Sequence, residues 1–231
     1  MKGILFDLDN TLVDWSKMKH KACDAALQAM INSGLKMAHK DAKKVLFEMY
    51  EEHGIENQEI FDKFLEKTHG HVDYRILSNG IAAYRVAKQE HLIPYENVIK
   101  TLEILKERGI KMGIVSDAPR MSAWLRLAEM HLSSYFDVVI TLDDSGEFKP
   151  SPNGFKKALA ELSLKPRDVI FIGDHPDRDV KGAKELGMIT VLARYGCTFE
   201  SNEKADYEIK DISELIEIVE KESLALPTPF I

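Results

Sequence analysis

Acidic and polar side chains follow four apolar segments of the sequence, and their types and spacing could support chemistry. Asp7 and Asp9 come directly after the first apolar segment, residues 2–6. Three later segments show the same pattern, and their ends are followed by Ser116-Asp117, by a loop that contains Lys149, and by Gly173-Asp174 with Asp177 and Asp179. Taken singly, each residue also suits a turn, a helix cap or a solvated loop. Their repetition at four segment ends favours one shared functional site.

The chemistry of these side chains suits a divalent cation beside an anion. If the apolar segments are parallel strands, their carboxyl ends meet at one edge of a sheet, where ligands bind. Several carboxylates at one edge repel each other unless a positive charge lies among them. Their hard oxygen atoms suit Mg²⁺, which usually keeps waters and a phosphate oxygen as further ligands. Lys149 would add a positive charge, and the Ser116 hydroxyl would donate to an anionic oxygen.

The elements that must position these residues alternate along the chain. From Pro94 onward, segments of strand character alternate with amphipathic helices, which predicts parallel pairing and right-handed crossovers. Residues 16–90 lack such strands, and their apolar residues recur at helical spacing. The predicted fold class is α/β, a doubly wound, mostly parallel Rossmann-like sheet with an inserted α-helical domain. We expect residues 1–13 and 94–231 to form the catalytic core, residues 14–93 the insertion, and residues 224–231 a disordered or docking tail.

Composition narrows the function classes. The chain has 231 residues with 31 basic and 38 acidic side chains, a formal net charge of −7. This mildly acidic balance argues against broad binding of nucleic acids or anionic membranes. Two cysteines, Cys23 and Cys197, are too few for a disulfide framework, so a reducing cytoplasm is expected.

Together the motifs resemble those of the haloacid dehalogenase superfamily, on its phosphatase side, and the resemblance extends over nearly the whole chain. Asp7-Leu8-Asp9-Asn10-Thr11-Leu12 matches the first motif, an apolar strand followed by D-x-D-x-T-L. The other three motifs follow in order at Val115-Ser116-Asp117, at Lys149-Pro150, and at Gly173-Asp174 with Asp179. The helical insertion resembles the cap that members of this superfamily carry between their first and second motifs.

The resemblance implies a role for each matched residue. Asp7 would attack phosphorus as the nucleophile, and Asp9 would act as general acid for the leaving group and then as base for water. Mg²⁺ would be bound by the Asp7 carboxylate, the backbone carbonyl of Asp9 and Asp174. Phosphoryl oxygens would be held by Ser116, by the backbone N–H of Asp117 and by Lys149, and Asp179 would assist the metal-bound waters or Lys149.

The resemblance also implies a reaction and a substrate class. Dehalogenase members lack the second aspartate of the first motif, because a halide leaves without a proton, so Asp9 favours phosphate ester hydrolysis. The predicted enzyme hydrolyses a small phosphate monoester through an aspartyl-phosphate, with phosphoglycolate, glyceraldehyde 3-phosphate, other sugar phosphates and nucleoside monophosphates as candidates. The alternatives are a 2-haloacid dehalogenase and a catalytically silent phosphate-binding regulatory protein. A monomer or homodimer is expected, with no nucleic-acid or membrane partner.

Asp117 departs from the commonest phosphatase pattern, in which Asn occupies this position. A carboxylate directed at the substrate would select against strongly anionic leaving groups, whereas one directed elsewhere would have no such effect. The sequence leaves both possibilities open.

Overall fold

The computed structural model describes residues 1–224 of the chain. It divides into a core unit, Met1–Asp14 with the chain from Ile93 onward, and a helical unit, Trp15–Leu92. Of the predicted tail, residues 225–231 lie outside the described residues, and Leu224 ends the last helix. Within residues 1–224, no helix has both the length and the apolar character needed to cross a membrane.

The core unit is built on one sheet of six parallel strands. They are β1 (Gly3–Phe6), β2 (Lys111–Val115), β3 (Val138–Ile140), β4 (Val169–Gly173), β5 (Ile189–Ala193) and β6 (Tyr207–Ile209). Their order in the sheet is β3-β2-β1-β4-β5-β6, and every neighbouring pair is parallel. The predicted doubly wound α/β fold class is confirmed.

The strand register brings the ends of the central strands to one level. Phe6 at the end of β1 pairs with Ile114 of β2 on one side and with Ile172 of β4 on the other. The direction in which strands are added reverses at β1, and doubly wound sheets bind ligands at such a switch point. Asp7 follows β1 and Asp174 follows β4, so both carboxylates belong to this edge.

The helical unit consists of four helices joined by short loops. They are α1 (Trp15–Asn32), α2 (His39–His53), α3 (Ile60–His69) and α4 (Tyr74–His91). Each contributes side chains to one apolar core, which includes Leu27, Leu46, Phe64 and Ile76. Asp73 begins α4, because its carboxylate accepts the backbone N–H groups of the first helical turn.

The core unit continues with helices that connect its strands. They are α5 (Val98–Glu107), α6 (Arg120–Glu129), α7 (Leu142–Ser145), α8 (Pro152–Leu162), α9 (Lys181–Glu185) and α10 (Leu215–Leu224). Ser151 caps α8 as its sequence predicts, by accepting the N–H of Asn153 ahead of a proline at the first helical position. The ring of Phe155 in α8 packs edge to face on Phe171 of β4, 4.9 Å between centroids. This contact fixes the helix against the strand that precedes Asp174.

The segment after β4 contains two kinds of helix. Residues Pro176–Val180 form a π-helical turn, and only Lys181–Glu185 are α-helical. The Asp179 carboxylate accepts a hydrogen bond from the backbone N–H of His175 at 3.0 Å. This side chain therefore bridges the π-helical turn, which is wider than an α-helical one. As a result the Asp179 carboxylate is buried beside the end of β4.

Two short segments complete the description of the core unit. In α10, Ile218 is buried and Ile216 is half-buried. The short helix α7 gave no periodic apolar signal, because its four residues depend on a capping box between Thr141 and Asp144.

Candidate active site

Asp7 is the centre of the polar cluster at the carboxyl edge of the sheet. Its backbone N–H donates to the carbonyl of Ile172 at 2.8 Å, which continues the β1–β4 pairing past the end of β1. Its carboxylate is buried and accepts two hydrogen bonds, from Lys149 Nζ at 2.5 Å on Oδ1 and from Thr11 Oγ1 at 3.2 Å on Oδ2. Both oxygens are therefore held in fixed positions.

Lys149 connects three of the strand-end loops. Its buried ammonium contacts Asp7 and also lies 2.7 Å from Oδ1 of Asp179, and it donates to the carbonyl of Val115 at 3.1 Å. Burial alone would lower the pKa of Lys149, but the carboxylates of Asp179 and Asp7 raise it above its ordinary value. The lysine therefore stays charged, and it supplies one fixed positive charge to the cluster.

Asp174 and Asp179 complete the cluster from the loop after β4. Gly173 permits this arrangement, because a Cβ at that position would overlap the Asp179 carboxylate. Oδ2 of Asp174 is buried and has no hydrogen-bond partner. An orphaned buried carboxylate oxygen is costly unless a further group, such as a cation, binds it.

The cluster fits a divalent cation. Asp7, Asp174 and Asp179 each offer a carboxylate oxygen, and these atoms lie within 4.8 Å of one another. Three carboxylates with one lysine leave a net charge of −2 when all four groups are ionised. Burial and the neighbouring carboxylates raise the pKa of Asp7 to about 7 and that of Asp174 to about 8. A bound Mg²⁺ would offset this repulsion through the oxygen ligands it prefers.

Asp9 is held by an arginine. Arg126 lies on α6 with its side chain 5% exposed, and its Nη1 donates to Oδ2 of Asp9 at 2.7 Å. The Asp9 side chain is more open, at 24% exposed. Oδ1 of Asp9 is buried, and the orientation of the carboxylate is set by a buried guanidinium.

Ser116 and Asp117 directly follow β2. Ser116 is buried, and its Oγ accepts the N–H of Ala118 at 3.1 Å, so its own hydrogen remains to be donated. Oδ1 of Asp117 accepts the backbone N–H of Lys149 at 2.9 Å, and Oδ2 lies 3.4 Å from Nη1 of Arg178. The Asp117 carboxylate thus links the loops after β2, β3 and β4.

The sequence of residues 4–193 matches the family model of haloacid dehalogenase-like hydrolases. The chain belongs to this family. It is 37% identical over 221 residues to the glyceraldehyde 3-phosphate phosphatase of Methanocaldococcus jannaschii. The aligned region covers 95% of this chain and 97% of the relative. It is 34% identical over 227 residues to the enzyme of the same name from Pyrococcus furiosus, with 96% and 95% covered. The solved structure of a HAD phosphatase from Thermococcus onnurineus aligns with a TM-score of 0.70 at 27% identity, over 95% of this chain and 98% of that one.

The structure of this haloacid dehalogenase-like hydrolase brings the sequence-predicted site residues into one region of the core unit. Asp7, Lys149 and Asp179 are in direct contact, and Asp174 has a carboxylate oxygen within the same 4.8 Å cluster. Asp117 contacts the Lys149 backbone. Asp177 does not join them, because its exposed carboxylate accepts a hydrogen bond from Ser201.

The sequence alone did not identify Arg126 as a residue of the candidate site. Its one available signal was a charged residue among the apolar positions of a helix, since Ala123 and Leu127 of α6 are both fully buried. Such a residue is buried only when it is paired, but the helical pattern does not identify the partner. The partner is Asp9, 117 positions earlier in the chain.

Proposed function

We propose that the chain is a Mg²⁺-dependent phosphatase that hydrolyses a small phosphate monoester through an aspartyl-phosphate on Asp7. The observation that supports this most directly is the buried Asp7–Lys149–Asp179 arrangement beside the orphaned oxygen of Asp174. A carboxylate nucleophile and a cation site occupy the same few ångströms there.

The relatives support the reaction class and suggest the first substrate to test. The phosphatase class is confirmed, because the full-length curated relatives of this family member are phosphatases. Two of them, at 37% and 34% identity, act by name on glyceraldehyde 3-phosphate. That compound was among the candidates from the sequence, and we propose it as the leading one.

The first chemical step uses Asp7 and Asp9. An oxygen of the Asp7 carboxylate attacks phosphorus, the bond to the ester oxygen breaks, and Asp9 gives that oxygen a proton so that it leaves as an alcohol. Lys149 keeps the nucleophile oriented and offsets part of the repulsion between Asp7 and the phosphate dianion. Mg²⁺, bound by the carboxylates of Asp7 and Asp174 and by the carbonyl of Asp9, would supply the remaining positive charge.

The second step returns the enzyme to its starting state. Asp9, now ionised, accepts a proton from water as the water oxygen attacks phosphorus of the aspartyl-phosphate. The bond between phosphorus and the Asp7 oxygen breaks, which releases phosphate and restores the carboxylate. Ser116 and the backbone N–H of Asp117 would hold the phosphoryl oxygens in both steps, and Asp179 would keep Lys149 in place through their 2.7 Å ion pair.

We assign the choice of substrate to the helical unit, in the role of a cap as the sequence predicts for residues 14–93. The two cysteines are free, and Cys23 is buried, which is consistent with the expected reducing cytoplasm.

The test is phosphate release from glyceraldehyde 3-phosphate and from p-nitrophenyl phosphate, each with Mg²⁺ and with excess chelator. We expect turnover that requires Mg²⁺ and is lost in Asp7→Asn, while Asp177→Asn, in the same loop as Asp174 but outside the cluster, retains it. Equal rates with metal and chelator would exclude the metal role. Chloride release from 2-chloropropionate would favour a dehalogenase, and phosphate binding without turnover of any ester would favour a regulatory protein.

A further inference from the structure

Arg126 is a buried cation whose presence the fold alone does not explain. It lies on α6 between the buried apolar side chains of Ala123 and Leu127, and its own side chain is 5% exposed. A guanidinium cannot lose its proton inside a protein, so burial imposes the full cost of desolvating a charge. An apolar side chain of similar volume would pack α6 at no such cost.

The ion pair between Arg126 and Asp9 identifies what the charge acts on. Nη1 of Arg126 donates to Oδ2 of Asp9 at 2.7 Å, which is a short, charge-assisted hydrogen bond. The other arginine of α6 gives a contrast, because Arg120 is 55% exposed and pairs with Asp144. Of these two arginines, the buried one contacts the carboxylate two residues from Asp7.

We infer that Arg126 is a positioning residue that holds the Asp9 carboxylate in the orientation from which it acts on the leaving group, an inference that rests on the proposed phosphatase function. A guanidinium donates from a rigid planar fork, so the 2.7 Å bond to Oδ2 restricts rotation of the Asp9 carboxylate. A carboxylate held in one orientation can deliver a proton to the leaving oxygen along one direction in the first step. The same orientation serves the second step, in which Asp9 accepts a proton from water.

This role makes the effect of Arg126 depend on the leaving group. An alkoxide needs a proton as it departs, whereas 2,4-dinitrophenolate departs without one, so a defect in proton delivery affects alkyl esters selectively. The kinetic constant that isolates this step is kcat/KM, because it includes events only up to the release of the alcohol. A defect in packing alone would lower kcat/KM for both kinds of ester by the same factor.

The experiment measures kcat/KM for glyceraldehyde 3-phosphate, glycerol 1-phosphate and 2,4-dinitrophenyl phosphate, with Mg²⁺ present. We expect Arg126→Met to lower kcat/KM by ~10²-fold for those alkyl esters that the wild type hydrolyses, which is the size of effect that loss of a general acid produces. For the dinitrophenyl ester we expect kcat/KM to fall by less than ~5-fold. Arg126→Lys should recover part of the loss, and Arg120→Met, the matched control on the same helix, should change neither. In Asp9→Asn, adding Arg126→Met should cause less than a ~3-fold further loss, since both changes remove one function.

Equal losses on both kinds of ester, or full additivity with Asp9→Asn, would overturn the inference while leaving the phosphatase function intact. Absence of turnover in the wild-type protein on every ester would instead overturn the proposed function, and this inference with it. If Arg126→Met does not fold, as judged by circular dichroism, the same comparison is made with Arg126→Lys. That variant keeps the charge but not the donor geometry of the guanidinium, and a loss confined to the alkyl esters is again the supporting result.

Discussion

Replacing Asp174 by asparagine should stabilise the metal-free protein and abolish its response to Mg²⁺. The carboxylate is buried, one of its oxygens has no hydrogen-bond partner, and its pKa is raised to about 8 by burial and by the carboxylates of Asp7 and Asp179. A neutral amide of the same shape removes one negative charge from this cluster. Its N–H groups can also donate to the neighbouring carboxylates.

The sign and size of the effect follow from the pKa. The ordinary value for Asp174 is 3.8 and the folded value is about 8, so the folded protein binds the proton more tightly than the unfolded chain does. The free energy of unfolding of the metal-free protein therefore falls as pH rises from about 4 to about 8. At ~1.4 kcal/mol for each pKa unit, the difference sets an upper bound of ~6 kcal/mol at high pH. The titrations of Asp7 and Asp174 are coupled, because ionisation of Asp174 makes Asp7 hold its proton more tightly. We therefore expect Asp174→Asn to raise the free energy of unfolding by about half of the upper bound, ~3 kcal/mol.

The assay is thermal unfolding at pH 6 and pH 8, in chelator and in Mg²⁺. In chelator at pH 8, Asp174→Asn should melt roughly 6–12 °C above the wild type, and the difference should shrink at pH 6. Adding Mg²⁺ should raise the melting temperature of the wild type, by mass action on the folded state, but not that of the variant. Asp177→Asn serves as the control, because that exposed carboxylate of the same loop lies outside the cluster. A lower melting temperature for Asp174→Asn at pH 8 in chelator, or a wild type that becomes more stable between pH 5 and pH 8, would refute the reasoning.

Three further changes test the proposed division of roles. Asp7→Asn should lower kcat by at least ~10⁴-fold, because the amide is no nucleophile, while circular dichroism remains that of the wild type; substantial residual turnover would mean that another residue attacks phosphorus. Lys149→Met should lower kcat by ~10²–10³-fold for every ester and, because it leaves Asp7 and Asp179 without their cation, lower the free energy of unfolding by ~3–5 kcal/mol in urea titrations. Substitutions of exposed side chains in the helical unit should change which ester is preferred in a kinetic screen of metabolite phosphates; a uniform loss across the screen would contradict the assignment of specificity to this unit.

Local sequence signals predicted the fold well, because the elements of the core unit are marked individually. The Ser151-Pro152 pair predicts the start of α8, and the apolar segment ending at Gly173 predicts β4. Since parallel strands expose their carboxyl ends at one edge, the positions of Asp7 and Asp174 also followed from pattern alone. These inferences depend on neighbours in sequence and on a general rule about sheets.

Features that depend on distant pairs were not predictable in this way. The bond between Lys149 and Asp7 joins residues 142 positions apart, and that between Arg126 and Asp9 joins residues 117 positions apart. The π-helical turn of residues 176–180 also lacked a periodic signal in the sequence. Its Asp179 carboxylate pairs with Lys149, which belongs to a different loop. For Asp117 the sequence left two orientations open, and the structure shows its carboxylate bound to the Lys149 backbone and beside Arg178. Its negative charge is therefore engaged within the loops, and selection against anionic leaving groups does not follow.

Each carboxylate of the site except that of Asp174 has a basic side chain as an ion-pair partner within residues 1–224. Asp9 pairs with Arg126, Asp117 with Arg178, and both Asp7 and Asp179 with Lys149. Within residues 1–224, no lysine or arginine forms an ion pair with Asp174, and its orphaned oxygen lies in the same cluster. A protein selected for stability alone would replace such a carboxylate, because it costs free energy at neutral pH. A bound cation would remove this cost, so under the proposed function the lower stability of the metal-free protein and the metal requirement of the reaction would have one cause, and the Asp174→Asn melting experiment tests the first of these.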